Sequence, residues 1–161
     1  MQFQNTKELI LIIDFGSQVT KLIARRIRDL GVYSEIITPD EIKKLNDFSK
    51  IKGIILSGGP STVTKNNFLS IPKNLFSKKI PILGICYGLQ LIAKLHGGKI
   101  KASKKRREFG RALIHKKKNS LLTKNFFGTK NSVWMSHEDA VIKIPKNFRT
   151  IAYTKDSKLS A

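Results

Sequence analysis

The chain has a single cysteine, Cys86, and it lies in the segment "GICYG" (residues 84–88) between a strand-like apolar run and a run with helical spacing. The G-x-nucleophile-x-G form is that of a nucleophile elbow, a tight strand-to-helix turn that exposes the middle side chain at the carboxyl end of a sheet. At a helix N-terminus the dipole favours the thiolate. The pattern predicts covalent catalysis by Cys86, and a buried, unreactive cysteine is the alternative.

Two backbone donors could serve the same chemistry. The N–H of Tyr87 follows the cysteine directly and can point at a developing oxyanion. A second glycine cluster, "LSGGPST" (residues 56–62), also follows a buried strand, and the N–H of Gly59 is the second candidate donor. A phosphate-gripping loop is disfavoured, because Pro60 has no N–H and no lysine stands at the position that a Walker loop requires. A plain Gly-Pro turn is the alternative for this loop.

The elements that must position these residues alternate along the chain. Buried aliphatic runs alternate with helical patterns in the order β-α-β-α-β-loop-β-α, and after Gly98 short alternating segments predict further, partly antiparallel strands. The fold class predicted is therefore α/β, an open, mostly parallel sheet with helices on both faces, within one domain. The predicted strands are residues 8–14, 32–37, 51–59 and 80–85, and the predicted helices are residues 17–30, 39–45 and 87–96, with Gly31 as a C-cap.

The composition is strongly basic, with 31 Lys and Arg against 11 Asp and Glu and a formal charge of +20. The densest segment, residues 99–118, holds ten Lys and Arg and one Glu. It lacks the aromatic interleaving of single-strand binders, so a solvated basic face is favoured over a nucleic-acid groove. A basic nucleic-acid-binding protein remains an alternative.

Other classes of protein are disfavoured by composition. One cysteine allows no internal disulfide, and metal-binding Cys/His spacings are absent, so we expect no metal site and a reducing, cytoplasmic location. We expect no membrane segment or secretory leader, because no apolar run is long enough to cross a bilayer and no charged-then-apolar leader begins the chain.

Five segments together resemble class I glutamine amidotransferases, and within that family the glutaminase domains of GMP synthases. Relatives that serve anthranilate, carbamoyl phosphate or CTP synthesis usually have Leu after the cysteine and lack "DFGSQ". The segments are "LIIDFGSQVTKLIARRIRDLGVYSEI" (residues 11–36), "KGIILSGGPSTV" (52–63), "GICYGLQLIA" (84–93), "REFGRA" (107–112) and "VWMSHEDAV" (133–141).

The resemblance implies roles for individual residues. Cys86 would attack the side-chain amide of glutamine, forming a glutamyl thioester and releasing ammonia, with oxyanion donors at Gly59 and Tyr87. Without the resemblance, Gln90 would be read as an ordinary helix-surface amide and Ser136 as a turn residue. The residues implied to hold glutamine are Gln90, Ser136, His137, Glu138 and Asp139.

The resemblance also implies a partner. Ammonia would pass to a separate synthetase domain or subunit that uses ATP and Mg²⁺ to adenylate XMP and aminate it to GMP. The glutaminase domain itself would need no cofactor. We expect residues 1–161 to be a glutaminase domain that lacks its C-terminal part and to include no synthetase domain.

Two departures from the family pattern bear on activity. Glu138 stands where the family commonly has Gly, which adds a negative charge near the carboxylate of the substrate. The His-x-Glu pair of the family, which acts as general base, is absent, and none of the three histidines, His96, His115 and His137, is a convincing substitute. We therefore expect no turnover by this chain alone, and a non-catalytic amidotransferase-like regulatory module is a further alternative.

Overall fold

The computed structural model describes residues 8–102, 108–124, 131–137 and 139–155. The chain divides into two compact units, residues 1–92 and residues 93–161.

A four-stranded sheet organises the first unit. Its strands lie in the order β2-β1-β3-β4, and every neighbouring pair is parallel, which confirms the predicted sheet. The strands are β1 (Leu9–Ile13), β2 (Ser34–Ile37), β3 (Ile51–Leu56) and β4 (Ile82–Gly84), and the helices are α1 (Thr20–Asp29), α2 (Pro39–Lys43), α3 (Tyr87–Leu95) and a 3₁₀ helix (Lys73–Lys78).

Strand β1 lies at the centre of the first unit's core. Leu11, Ile12 and Ile13 are fully buried, so successive side chains are covered on both faces of the strand, as the unbroken aliphatic run predicts. Each such side chain contributes about 1.5–3 kcal/mol of transfer free energy to folding. The strand therefore fixes the position of the loop that follows it.

Helix α1 begins at Thr20, later than the predicted start at residue 17. The reason is local, because the Asp14 carboxylate accepts hydrogen bonds from the backbone of Gly16 and Ser17 and so holds this stretch in a turn. At the other end Gly31 has a φ of +76°, and its N–H donates to the Arg28 carbonyl, which confirms the predicted C-cap.

Antiparallel strands form the second unit. Strand β5 (Lys99–Ala102) pairs with β8 (Asp139–Lys143), and β6 (Glu108–Lys116) pairs with both β7 (Asn131–His137) and β9 (Ala152–Tyr153). Every pair among these described strands is antiparallel. The additional strands expected after Gly98 are therefore confirmed.

Candidate active site

The two glycine-rich loops leave the sheet side by side. Strands β3 and β4 are parallel neighbours whose last residues, Leu56 and Gly84, are in register. The Ile85 N–H donates to the Leu56 carbonyl at 2.9 Å, and the Gly88 N–H donates to the Ser57 carbonyl at 3.1 Å. The loop after β3 and the turn that carries Cys86 are therefore joined through their backbones.

Cys86 has the backbone geometry of a nucleophile elbow. It directly precedes α3 and has a φ of +51°, a left-handed conformation that few residues other than glycine adopt. Its carbonyl accepts the N–H of Gln90 at 3.1 Å, and its thiol is half-buried and outside any disulfide. A cysteine in this conformation costs about 1–2 kcal/mol, so the surrounding structure must impose it.

The glycines on either side of Cys86 permit close approach of backbone. A Cβ at Gly84 would lie 2.6 Å from the carbonyl carbon of Gly88, and a Cβ at Gly88 would lie 2.6 Å from the Cβ of Leu56. Real Cβ atoms do not make such contacts. Glycine at position 84 therefore lets the strand approach the first turn of α3, and glycine at position 88 lets that turn pack against β3, as the sequence pattern predicts.

The loop after β3 packs against the segment that follows β1. A Cβ at Gly59 would overlap the backbone carbonyl of Phe15, so this position also requires glycine. A Cβ at Gly58 would lie 3.5 Å from the Cβ of Cys86 and 3.6 Å from the Oγ of Ser17. Three loops, each following a strand of the parallel sheet, meet around Cys86.

The Tyr87 side chain anchors the elbow in the core. It is 1% exposed, its ring centroid lies 5.0 Å from that of Phe15, and its hydroxyl donates to the Leu69 carbonyl at 2.6 Å. Burial raises the pKa of Tyr87 to about 12, against a smaller opposing effect of the Leu69 hydrogen bond. The side chain is thus structural, while the backbone N–H of the same residue lies at the start of α3.

Gln90 lies one turn along α3 from Cys86 and is only 7% exposed. Interpretation as an ordinary surface amide is therefore wrong, because the side chain is buried. The role of Gln90 towards glutamine stays a prediction.

The segment after β1 contains a structural element that the sequence pattern did not reveal. The Asp14 carboxylate accepts hydrogen bonds from the Thr20 hydroxyl at 2.7 Å, the Gly16 N–H at 2.9 Å and the Ser17 N–H at 3.3 Å. Burial would raise the pKa of Asp14, but these hydrogen bonds and a weaker one from Ser57 outweigh it and hold the pKa below its ordinary value. An aspartate two residues before a glycine, directly after a buried strand, is a turn signal that could have revealed it.

Ser57 connects this segment to the loop after β3. Its hydroxyl accepts the Phe15 N–H at 3.0 Å and donates to the Gly58 carbonyl at 2.7 Å. The side chain is fully buried. No local sequence pattern predicts the hydrogen bond between Phe15 and Ser57, because the two residues are 42 positions apart in the chain.

The remaining predicted site residues belong to the second unit. Ser136 lies near the end of β7, opposite Phe109 of β6, and is exposed. His137 ends β7, and Asp139 begins β8 opposite Ala102 and is buried. Glu138 lies outside the described residues. The structure thus brings Gly59, Cys86, Tyr87 and Gln90 together in the first unit, and Ser136, His137 and Asp139 belong to the second.

His96 and His115 make aromatic contacts. The His96 ring lies 5.2 Å from the Phe148 ring, and the His115 ring stacks on Tyr153 at 5.3 Å. Within the part of the chain that the structure describes, no group of three or more His, Cys, Asp or Glu side chains could hold a metal ion. No helix there is long and apolar enough to span a bilayer.

A cavity of about 520 Å³ lies away from this site. It opens at the amino end of β1, where its lining includes Leu9, Arg28, Tyr33 and Lys52. Lys52 is paired with Glu8 at 2.9 Å. None of the predicted site residues lines this cavity.

Comparison with known proteins explains the arrangement around Cys86. Residues 11–161 match the family model described as glutamine amidotransferase class-I. The chain is a class-I glutamine amidotransferase. The match covers all of the motifs that carry the resemblance noted in the sequence, which confirms that interpretation.

Curated relatives of this class-I glutamine amidotransferase are much longer than the chain itself. GMP synthase [glutamine-hydrolyzing] of Staphylococcus carnosus is 46% identical over 167 residues, which cover 100% of this chain and 31% of the relative. The enzyme of the same name from Macrococcus caseolyticus is 44% identical over 165 residues, with the same coverage. The chain therefore spans about a third of the length of these relatives.

Solved structures share the fold of this class-I glutamine amidotransferase. A Thermoplasma acidophilum protein described as a GMP synthase subunit superposes with a TM-score of 0.80 at 25% identity, covering 97% of this chain and 77% of the other. A glutamine amidotransferase of Thermotoga maritima gives 0.76 at 20% identity, covering 95% and 70%. The predicted α/β fold class is confirmed.

Proposed function

We propose that this chain is the glutaminase part of a GMP synthase, which hydrolyses glutamine and supplies the ammonia that converts XMP to GMP. The observation that carries the proposal is the left-handed Cys86 at the start of α3, joined to the Gly59 loop by backbone hydrogen bonds. The GMP synthases of S. carnosus and M. caseolyticus, 46% and 44% identical to the chain, support the choice within the family.

The first chemical step uses the Cys86 thiolate. Its sulfur attacks the side-chain amide carbon of glutamine, a C–S bond forms, and the carbonyl electrons move to oxygen. The backbone N–H groups of Gly59 and Tyr87 stabilise this oxyanion. Among the described residues, no backbone carbonyl of a turn, loop or helix cap accepts a hydrogen bond from the N–H of Gly59 or Tyr87. This is consistent with the role of these two groups as oxyanion donors.

Collapse of the tetrahedral intermediate breaks the C–N bond. The nitrogen leaves as ammonia with the proton that the thiol gave up, and water then hydrolyses the glutamyl thioester to glutamate. The resemblance to the family assigns the binding of glutamine to Gln90, Ser136, His137, Glu138 and Asp139.

Proton transfer limits turnover by this chain. A general base typically contributes about 10²–10⁴-fold, and the His-x-Glu pair that supplies it in the family has no counterpart in the sequence of 161 residues. We propose that each chain reacts once at Cys86. Its steady-state rate of ammonia release should be lower than that of an intact glutaminase by at least about 10²–10⁴-fold.

The ammonia acceptor in this proposal is a synthetase domain or subunit. That partner binds ATP, Mg²⁺ and XMP, whereas the glutaminase part uses no cofactor. The extra length of the curated relatives supports the existence of such a partner.

Covalent labelling tests the proposal. A diazoketone analogue of glutamine should add one mass equivalent to the chain, and glutamine, but not asparagine, should protect against it. Cys86→Ala should abolish labelling, and iodoacetamide serves as a control for general access to the thiol. Gly59→Ala should slow labelling by the analogue, because the new Cβ displaces the loop from Phe15.

The outcomes separate catalysis from its main alternative. Labelling by iodoacetamide without labelling by the glutamine analogue would show a reactive thiol with no glutamine site. That result would assign the chain to a non-catalytic amidotransferase-like module. Ammonia release at the rate of a full-length glutaminase would instead refute the proposed lack of a base.

A further inference from the structure

Ser57 contacts the peptide unit that contains one of the two proposed oxyanion donors. That unit joins Gly58 to Gly59, and it carries the Gly58 carbonyl on one side and the Gly59 N–H on the other. In a trans peptide these two groups point in opposite directions, and no cis peptide bond occurs among the described residues. A contact that fixes the Gly58 carbonyl therefore also fixes the direction of the Gly59 N–H.

The Ser57 hydroxyl makes such a contact. It donates to the Gly58 carbonyl at 2.7 Å, whereas the Asp14 carboxylate, the other acceptor within range, lies 3.5 Å away. A serine hydroxyl has one proton to donate, and the shorter distance is the one typical of a hydrogen bond between two oxygens. The proton is therefore directed mainly at the Gly58 carbonyl.

The backbone of Ser57 is fixed independently of its side chain. Its N–H donates to the Ile13 carbonyl at 3.0 Å, and its carbonyl accepts the Gly88 N–H at 3.1 Å. The hydroxyl also accepts the Phe15 N–H at 3.0 Å, and the whole side chain is buried. Ser57 is thus held both to β1 and to the first turn of α3, so its hydroxyl has a fixed position beside the next peptide unit.

The peptide unit between Gly58 and Gly59 needs such a restraint. Because glycine has no Cβ, a peptide unit flanked by two glycines can reorient more easily than any other. Glycine cannot be exchanged for a stiffer residue at position 59, where a Cβ would overlap the Phe15 carbonyl. The hydrogen bond from Ser57 supplies the rigidity that these glycines lack.

We propose that Ser57 is a positioning residue for the oxyanion hole formed by the Gly59 and Tyr87 N–H groups. By holding the Gly58 carbonyl, its hydroxyl keeps the Gly59 N–H directed at the carbonyl oxygen of a substrate that Cys86 attacks. This inference rests on the proposed glutaminase function, because the oxyanion forms only in that reaction. A donor that is already oriented needs no reorganisation when negative charge develops on the oxygen.

Acylation of Cys86 by the γ-methyl ester of glutamate tests the inference. The sulfur of the thiolate attacks the ester carbonyl carbon, a C–S bond forms, the C–O bond breaks, and methoxide takes up a proton and leaves as methanol. The reaction passes through a tetrahedral oxyanion but has no amine leaving group. Acid quenching followed by mass spectrometry measures the acylated fraction of the chain against time and ester concentration.

Ser57→Ala should lower the maximal rate of acylation by as much as about 10²–10³-fold, the cost of losing one oxyanion donor. The ester concentration that gives half the maximal rate should be unchanged, because the lost interaction acts only in the transition state. Alkylation of Cys86 by iodoacetamide forms no oxyanion, so its rate should be unchanged as well. A general loosening of the site would instead alter all three quantities.

Ser34→Ala is the matched control. Ser34 is a fully buried serine of β2, and its hydroxyl also makes two hydrogen bonds, accepting from the Arg28 Nε at 3.1 Å and donating to the Ala24 carbonyl at 3.2 Å. Its replacement should lower the thermal stability of the chain but leave the acylation rate at the wild-type value. All rates are measured below the unfolding temperature of each variant.

A structure of the wild-type chain after reaction with the diazoketone analogue provides a test that needs no variant. In this adduct the Ser57 hydroxyl should still donate to the Gly58 carbonyl, and the Gly59 N–H should donate to the carbonyl oxygen of the analogue. A Gly58 carbonyl turned away from Ser57 in the adduct would overturn the inference.

The outcomes distinguish this inference from the proposed function. If the wild-type chain is neither acylated by the ester nor labelled by the diazoketone analogue, the proposed function is wrong, and the inference fails with it. If the wild-type chain is acylated and Ser57→Ala reacts at the same rate, the inference alone is wrong. Equal losses in Ser57→Ala and Ser34→Ala would likewise refute it, since they would reflect stability rather than orientation of the donor.

Discussion

At the scale of single residues, Cys86 combines a reactive group with an unfavourable backbone conformation. Its φ of +51° suits glycine better than any residue with a Cβ. We therefore expect Cys86→Gly to be more stable than Cys86→Ala by about 1 kcal/mol, although both variants lose the thiol. Urea unfolding of the two variants measures this difference.

Lys79 provides a matched control for that comparison, since its φ of +56° places it in the same left-handed region, before β4. Lys79→Gly should gain a similar amount over Lys79→Ala without changing the reaction of Cys86 with a glutamine analogue. If Cys86→Gly were no more stable than Cys86→Ala, the elbow would not be strained in solution.

The position of Cys86 at the N-terminus of α3 also leads to a prediction about its acidity. The helix dipole favours the thiolate, so alkylation by iodoacetamide should reach half its maximal rate at a pH below about 8.5, the value for a free cysteine. The chain has one cysteine, so the total rate reports this site alone. The same measurement in denaturant provides the reference, and identical midpoints in the two conditions would contradict the prediction.

At the scale of elements, the loops after β1 and β3 are held together by the Asp14 carboxylate and the Ser57 hydroxyl. The pKa of Asp14 is lower in the folded protein than in the unfolded chain, where it is near 3.8. The hydrogen bonds of this carboxylate therefore stabilise the fold fully at pH values above 3.8, and their contribution is lost as the pH falls through the pKa of the folded state. Asp14→Asn should therefore cost about 1–2 kcal/mol at neutral pH. The difference in unfolding free energy between wild type and Asp14→Asn should become smaller at acidic pH.

Denaturation by urea at neutral and at acidic pH checks this expectation. Asp29→Asn is a suitable control, because Asp29 makes only a 3.5 Å ion pair with Arg26 at the exposed end of α1, where substitutions change stability by less than about 0.5 kcal/mol. If the difference in unfolding free energy between wild type and Asp14→Asn did not change with pH, the negative charge of the carboxylate would not be what stabilises the loop.

The same elements show what sequence reasoning can reach. The buried run of β1 and the glycines around Cys86 are local patterns, and each predicted its structure correctly. The Phe15–Ser57 hydrogen bond and the Arg111–Trp134 pair join residues far apart in the chain, so no window of sequence contains them. The burial of Gln90 could not be predicted either, because a single amide side chain in a helical sequence does not indicate which other part of the chain covers it.

At the scale of the whole molecule, the chain corresponds to about a third of the length of its curated relatives. The sequence contains no phosphate-gripping loop of the Walker type. We expect the 161-residue chain to form no GMP from XMP, ATP, Mg²⁺ and ammonia, as followed by chromatography of the nucleotides. The S. carnosus enzyme serves as the positive control, and formation of GMP by the chain would require a nucleotide site within it.

The buried hydroxyl of Tyr87 limits the tolerance of the fold to alkali. In the unfolded chain this phenol ionises near its model value of 10.0, but in the folded protein its pKa is about 12. Between these values only the unfolded chain loses the proton, so stability is complete below pH 10.0 and declines as the pH rises towards about 12. Tyr87→Phe should remove this part of the decline, measured by urea unfolding across that range, and an unchanged decline would place the alkaline sensitivity elsewhere. Alkaline pH thus destabilises the fold at Tyr87, the buried residue that anchors the turn carrying Cys86.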